Sequence, residues 1–512
     1  MFEEVRFADA AAIAAAITAA ARDEAAASAR RLAAIAELTA LRCNASDADA
    51  GDYWACDTWD SAAAEVSAAL GTTHGASSGQ MRIALALRER LPRVGALLAA
   101  GTISYWLVRT VVARTNNIKD PDALALVDNA LADDITSWGP LSLRKTEEAI
   151  DFWIDRHDPA AIRRTRAAAR GRDIVIGTSD DVAGTTCIWG TVSTADAAAL
   201  DRRLIELVHT VCPDDPRTIP QRRADAVGAM AACAETLACR CANPTCPVAD
   251  NTPRSNTLVH VVADPAALAA PPDQAMSGEF TSGPVISTTP LADALAPDPT
   301  LDAPRTAPTA AALVVGRGVI PAALLAELIR GGANVKSLHH PGQDSPAQSQ
   351  YRPSTALDEY VRFRDLTCRF PHCDHPATSC DVDHTMPYDD GGATHPSNLK
   401  CLCRKHHLLK TFWGGPGGWR DVQCPDGTVI WTAPNGQTYT THPGSRILFP
   451  ALCVPTGQAP PPVARTNTRR ADDAKRDFTR RRTRAQQRAA RIDAERALND
   501  THTAEVEEPP PF

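Results

Sequence analysis

The chain has little aromatic character: Phe, Trp and Tyr make up 5% of its 512 residues, and only five are methionine. Alanine supplies much of the 44% that is hydrophobic. Cores built from it must rely on closely approaching helices, and that apolar share excludes a wholly disordered chain. The sequence also lacks a basic excess. Lys and Arg number 53 against 61 Asp and Glu, for a net charge of −8, so a nucleic-acid partner has to be argued from a local site and not from bulk charge. No run approaches the roughly 20 apolar residues that span a bilayer. The start, Met1-Phe2-Glu3-Glu4, carries no basic segment, and Arg22, Asp23 and Glu24 break the Ala-rich stretch behind it. A cytoplasmic protein with no membrane contact is expected. Its 15 cysteines, odd in number and partly in short-range clusters, then favour metal ligands or reduced thiols over a disulfide framework.

The length predicts two to four domains, and the organisation expected is a mainly α N-terminal domain with a small β-hairpin element (residues 1–264), a Pro/Ala-rich linker or insertion (265–310), a connecting segment (311–354), a metal-binding module (355–420), a short extension (421–457) and a basic tail (458–512). Alanine-rich helical windows alternate with turn signals at Asn44, Gly51, Gly71 and Gly101, and consecutive helices should join near Pro92 and Gly101. Pro121 and Pro159 each follow an Asp and read as first helical positions behind an N-cap. Asp173–Ile176 and Thr186–Val192 flank a turn-like stretch and predict a hairpin. Helices are expected over about 194–210, 219–237 and 321–330, and a strand over 258–263. From Gln458 onward no core-forming pattern exists; the tail is expected to be disordered, with a solvated helix as the alternative. No fixed-period repeat is present.

Chemistry concentrates between Cys368 and Lys410. Cys368 and Cys373 are spaced C-x4-C, and Cys403 and His406 C-x2-H. Two such pairs make a closed tetrahedral Zn2+ site able to hold together a small module. Asp383 and His384 are adjacent; on a strand they point to opposite faces, yet at a strand end they can serve one cleft, one as ligand and one as base. His407 is the natural second ligand. Spacing alone leaves open which of His406 and His407 faces the zinc, since Cys403 shares a helix face with either. Gly391-Gly392 and Asn398 lie in the intervening loop, which an Asn side chain can hold by bonding its backbone.

The order Asp383-His384, Pro387, Gly391-Gly392, Asn398-Leu399, Leu402-Cys403, His407, Lys410 resembles the HNH endonuclease signature. That resemblance implies a ββα-metal (His-Me finger) fold, a hairpin and a helix clasping one divalent ion, and a phosphodiester hydrolase that cleaves DNA to leave a 3′-hydroxyl and a 5′-phosphate. It implies His384 as general base, Asp383 and His407 as ligands of a catalytic Mg2+ or Mn2+, Asn398 as the residue that fixes the loop, and Cys368, Cys373, Cys403 and His406 in the structural zinc positions, His406 standing where many members carry a second Cys. Lys410 would touch a phosphate or remain a solvated lysine. The alternative is a zinc-stabilised DNA-binding module that does not cut. The wider layout, with Arg88–Pro92, Gln221–Ala226 and the cluster from Cys239 to Pro247, also resembles an actinobacterial group of HNH-signature proteins, the mycobacterial 13E12 repeat family, whose large helical N-terminal domain has no known function.

Two further features stay open. Cys239, Cys241 and Cys246, with Cys233 nearby, form a second zinc site or a set of reduced thiols. The basic run including Arg480-Arg481-Arg482 and Arg484 could supply salt-dependent phosphate contacts. Isolated His74, His157 and His209 suggest no ligand role.

Overall fold

The computed structural model describes residues 9–44, 53–139, 141–162, 173–177, 185–241, 243, 245–246, 259–270, 312–330, 333–463 and 479–507. Among the described residues, seven helices come first: α1 (Ala10–Asn44), α2 (Thr58–Leu70), α3 (His74–Glu89), α4 (Pro92–Ala99), α5 (Tyr105–Arg114), α6 (Pro121–Asp134) and α7 (Leu143–His157). Their starts follow from local chemistry. Asp57, Thr73, Ser104 and Asp120 each accept a backbone N–H from the first turn they cap, satisfying donors that a helix cannot pair internally. The alanines let the axes approach: Ala62, Ala63 and Ala64 are all 0% exposed. With Leu32, Met81, Leu91, Val108, Val127 and Ile150, Ala62 and Ala63 form the first core.

The expected hairpin is β1 (Asp173–Ile176) paired antiparallel with β2 (Ile188–Thr191); the turn at 178–184 lies outside the described residues. Then come α8 (Thr194–Val208) and α9 (Ile219–Ala231). The second ends before the expected 237, where Ala232 and Cys233 turn, Cys233 with φ +54°. A three-stranded sheet follows, in the order β3 (Val261–Ala263), β4 (Ala312–Val314), β5 (Gly318–Ile320). Because β3 pairs directly with β4, the Pro-rich segment between them is an insertion within a sheet; a short helical turn, Pro265–Leu268, opens it, and residues 271–311 lie outside the described set. Helix α10 (Ala322–Arg330) packs behind, at the expected place.

The C-terminal part begins with α11 (Thr355–Asp365), then β6 (Asp381–His384), a long loop, β7 (Leu399–Leu402) and α12 (Arg404–Phe412). β6 and β7 are antiparallel, with Asp383 opposite Lys400 and His384 opposite Leu399. Strands β8 (Arg420–Gln423), β9 (Val429–Thr432) and β10 (Thr438–Thr441) form a meander. The boundary expected at residue 420 falls inside one core: Trp419, Val429 and Trp431 pack with Phe370, Leu402 and Phe412. The same core reaches into the N-terminal part through Cys56, Ala64 and Ala68, and Trp54 stacks on Phe412.

The tail is a correction. Residues Arg484–Glu507 form helix α13, and arginines in and just before it are engaged. Arg480 and Arg484 donate to Asp57 and Asp60, whose side chains are 4% and 3% exposed. Arg496 pairs with Asp158, and Asn499 donates to the carbonyls of Ala160 and Ile162. Buried carboxylates some 340 to 420 residues earlier supply what local apolar patterning lacks. Asp158 is corrected with it. It makes no side-chain cap, and Pro159 opens only a 3-10 turn, because the carboxylate is bound to Arg496.

Candidate metal centres

Cys368, Cys373, Cys403 and His406 come together. One ligand atom from each lies within 4.8 Å of the others. His406 Nδ1 is 3.3 Å from Cys403 Sγ and 3.5 Å from Cys368 Sγ, and Cys373 Sγ is 4.0 Å from Cys403 Sγ. The knuckle and the helix start are positioned separately. Arg369 N donates to Cys401 O, and Cys401 N to the Asp365 carboxylate; Arg364, 0% exposed, donates to Pro396 O and Leu399 O. His406 lies between Phe370, stacked at 4.0 Å, and the edge of His74. Burial pushes the Cys368 thiol well up, while hydrogen bonds from Cys368, Cys373 and His406 hold Cys403 far below the ordinary thiol range. This cluster could hold a metal ion, and the structure answers the question spacing left open: His406 faces the sulfurs and His407 does not.

His407 turns to the hairpin. Its Nδ1 is 2.8 Å from Asp381 Oδ2, and its Nε2 is 3.5 Å from Asp383 Oδ1. Asp381 and Asp383 are two apart on β6 and so share a face. Sequence reading passed over Asp381, although that i, i+2 relation was its signal. Lys400 and Lys410 also reach Asp383 Oδ2, at 2.9 and 2.8 Å, and both approach Asp421 Oδ2, at 2.6 and 3.4 Å. Burial would raise the Asp383 carboxyl, but Lys400, Lys410 and His407 outweigh it and hold it below the usual range. Burial lowers the Lys410 ammonium, and Lys400 beside it adds to that. Lys410 therefore bonds a carboxylate and the carbonyls of His384 and Thr385, instead of standing solvated on its helix.

His384 lies on the opposite face, 5% exposed, with Tyr351 stacked across its ring at 5.4 Å. Its Nε2 is 2.9 Å from Thr394 Oγ1. Thr394 spends its one hydroxyl proton on backbone carbonyls, Gln350 O at 2.7 Å, so it accepts from His384 Nε2–H. Asn398 holds the loop: its Oδ1 accepts from Met386 N, and its Nδ2 donates to Met386 O and Ala393 O. The loop closes so tightly there that Gly391 has φ +93° and a Cβ on Gly392 would stand 2.0 Å from Met386 O, so both positions need glycine.

In the N-terminal half, Cys239, Cys241 and Cys246 also gather, and their fourth member is Cys212, all four sulfurs lying within 4.8 Å of one another. Cys233, the neighbour in sequence, is exposed and outside the group. Cys212 lay too far upstream for a spacing rule to find it. Among the described residues, no helix is long and apolar enough to cross a membrane.

The chain is 56% identical over 507 residues to the uncharacterized protein Rv2100 of Mycobacterium tuberculosis, covering 98% of this chain and 90% of that one. It is 54% identical over 520 residues to the uncharacterized protein Rv3776 of the same organism, covering 99% and 93%. An uncharacterized protein of the est 3′ region matches at 52% over 364 residues, 70% of this chain and 97% of that protein. No solved structure matches. Residues 19–365 match the family described as a domain of unknown function, DUF222, a span that stops just before Cys368, and the chain belongs to that family.

Proposed function

We propose that the C-terminal part is an HNH-type, metal-dependent endonuclease. The observation that carries the reading is the line Asp381–His407–Asp383. An imidazole with one nitrogen held by a carboxylate, 2.8 Å away, and the other turned to a second carboxylate at 3.5 Å has the arrangement of an oriented metal ligand. Asp383 and His407 would hold the ion. A set of one carboxylate and one imidazole suits Mg2+ or Mn2+, while three sulfurs and an imidazole suit Zn2+ in the other cluster. The divalent ion supplies positive charge to the phosphate and to the leaving oxygen.

His384 takes a proton from water while Thr394 fixes the ring through Nε2. The water oxygen bonds to phosphorus as the ester P–O bond breaks. Asn398 keeps the intervening loop closed, so that this imidazole stays against the hairpin end. DNA as the substrate, and the 3′-hydroxyl and 5′-phosphate products, rest on the resemblance to HNH endonucleases.

A second reading has its own observation. Two ammonium groups already lie on Asp383 Oδ2, and a dication beside them would be repelled unless Lys410 swings away toward a phosphate. If Lys410 stays, the module is a zinc-stabilised DNA-binding element without catalysis. Nicking of supercoiled plasmid with Mg2+ or Mn2+, with and without chelator, separates the two. Cutting that needs metal and falls about 100- to 10,000-fold in His384→Ala is expected. Absence of cutting, or equal cutting by the variant, sinks the nuclease and leaves the binding element.

A further inference from the structure

The four cysteines of the N-terminal half lie where little else holds the chain. Among the described residues, the cluster between helices α8 and α9 is small, Leu204, Leu207 and Ala226 with Met230 alongside; Val208 is also buried, while Ile205, Ile219 and Val227 are exposed. A hairpin with so small a core is the usual setting for a structural metal. Four thiolates around one Zn2+, at about 2.3 Å each, stand roughly 3.8 Å apart. Here all four sulfurs are within 4.8 Å of one another, Cys212 and Cys239 at 3.3 Å. That separation is far beyond a disulfide bond of about 2.05 Å.

A polar frame surrounds the sulfurs. Asp215, three residues after Cys212, has a side chain 0% exposed and accepts from Arg240 N, which lies between Cys239 and Cys241. Arg217 bonds Asp215 at 2.6 Å and Ala238 O at 2.7 Å. Leu237 N donates to Thr210 Oγ1 at 2.8 Å. The two ligand-bearing segments are thus stitched on both sides of the sulfurs. Arg240 also bonds Glu327 of α10 at 2.7 Å, tying the knuckle to the β3–β5 unit.

We propose that Cys212, Cys239, Cys241 and Cys246 hold a structural Zn2+ that staples the α8–α9 hairpin, independently of the C-terminal cluster and of any nuclease activity. Binding converts four thiols to thiolates and releases up to four protons to the buffer, with no redox step.

Metal analysis of the purified full chain tests this. Two zinc per chain are expected, falling to one in Cys212→Ser and to one in Cys403→Ser. Native alkylation of the unmutated chain guards against variants that misfold: Cys233 should react with iodoacetamide at once, and the four cysteines only after chelator is added. No zinc in the unmutated chain, content unchanged by Cys212→Ser, four thiols that alkylate as fast as Cys233, or disulfides among them in an unreduced digest would each overturn the proposal.

Discussion

The two sulfur clusters sit in opposite settings. Cys368, Cys373, Cys403 and His406 are embedded in a core with Phe370, Trp419, Trp431 and Phe412, backed by Ala64 and Ala68 of the N-terminal helices. Cys212, Cys239, Cys241 and Cys246 join two helices whose shared cluster holds three small or medium buried side chains. Where apolar burial is plentiful, an ion adds rigidity and aligns neighbouring side chains. Where it is scarce, the ion has to supply the folding free energy itself. The first setting also presents a second imidazole, His407, between the Asp381 and Asp383 carboxylates, whereas Asp215 beside the second cluster is committed to Arg217 and Arg240 N, so chemistry is expected in the first and scaffolding in the other.

The sharpest way to break this contrast is a pair of truncations. Trp431→Ala removes a side chain 0% exposed that donates to Arg369 O at 2.8 Å, and should cost about 3–5 kcal/mol in global unfolding by denaturant. Leu207→Ala should instead speed amide exchange within 194–246 and leave 355–441 protected. If Leu207→Ala lowered global stability as much as Trp431→Ala, the hairpin would not be the separate, metal-dependent unit described.

A smaller effect sharpens the catalytic side. Asp381→Asn weakens the hold on His407 Nδ1 and should lower Mn2+ affinity about 10- to 100-fold in a titration, with zinc content unchanged. Equal Mn2+ affinity would remove Asp381 from the site and weaken the relay on which the nuclease reading stands.

The smallest expected effect concerns pH. Burial lowers the His74 pKa despite its bond to Asp60, so the folded state favours neutral His74. Its contribution to stability is then complete above the ordinary histidine value of about 6.5 and is lost as pH falls through the lower folded value. The denaturation midpoint should decline below about pH 6.5, with a slope of at most about 1.4 kcal/mol per pH unit from this group, and His74→Gln should flatten it. An unaltered slope would assign the dependence to other groups.

Legibility divided along the length scale of the signal. The cap residue Asp120, the hairpin at 173–191 and the C-x4-C and C-x2-H pairs are local, and the chain folds locally as they read. Cys212, Asp421 and the tail were not legible, because each finds its partners across a long stretch of chain. The tail shows why. Arg480 and Arg484 look like phosphate-seeking charges until Asp57 and Asp60 are known to be buried. Their engagement predicts that removing the tail lowers stability in denaturant unfolding.

By itself the sequence determined the helix starts, the sulfur pairs and the order of the Asp383-His384, Asn398 and His407 signature, because capping, ligand spacing and strand alternation operate over a few residues. The tertiary structure alone decided that His406 faces the sulfurs while His407 faces Asp383, that Cys212 completes the second cluster, and that Lys400 and Lys410 both lean on Asp383. Each of those depends on which side chains share a buried volume, and charges taken out of water settle on whatever partner the packing brings within reach.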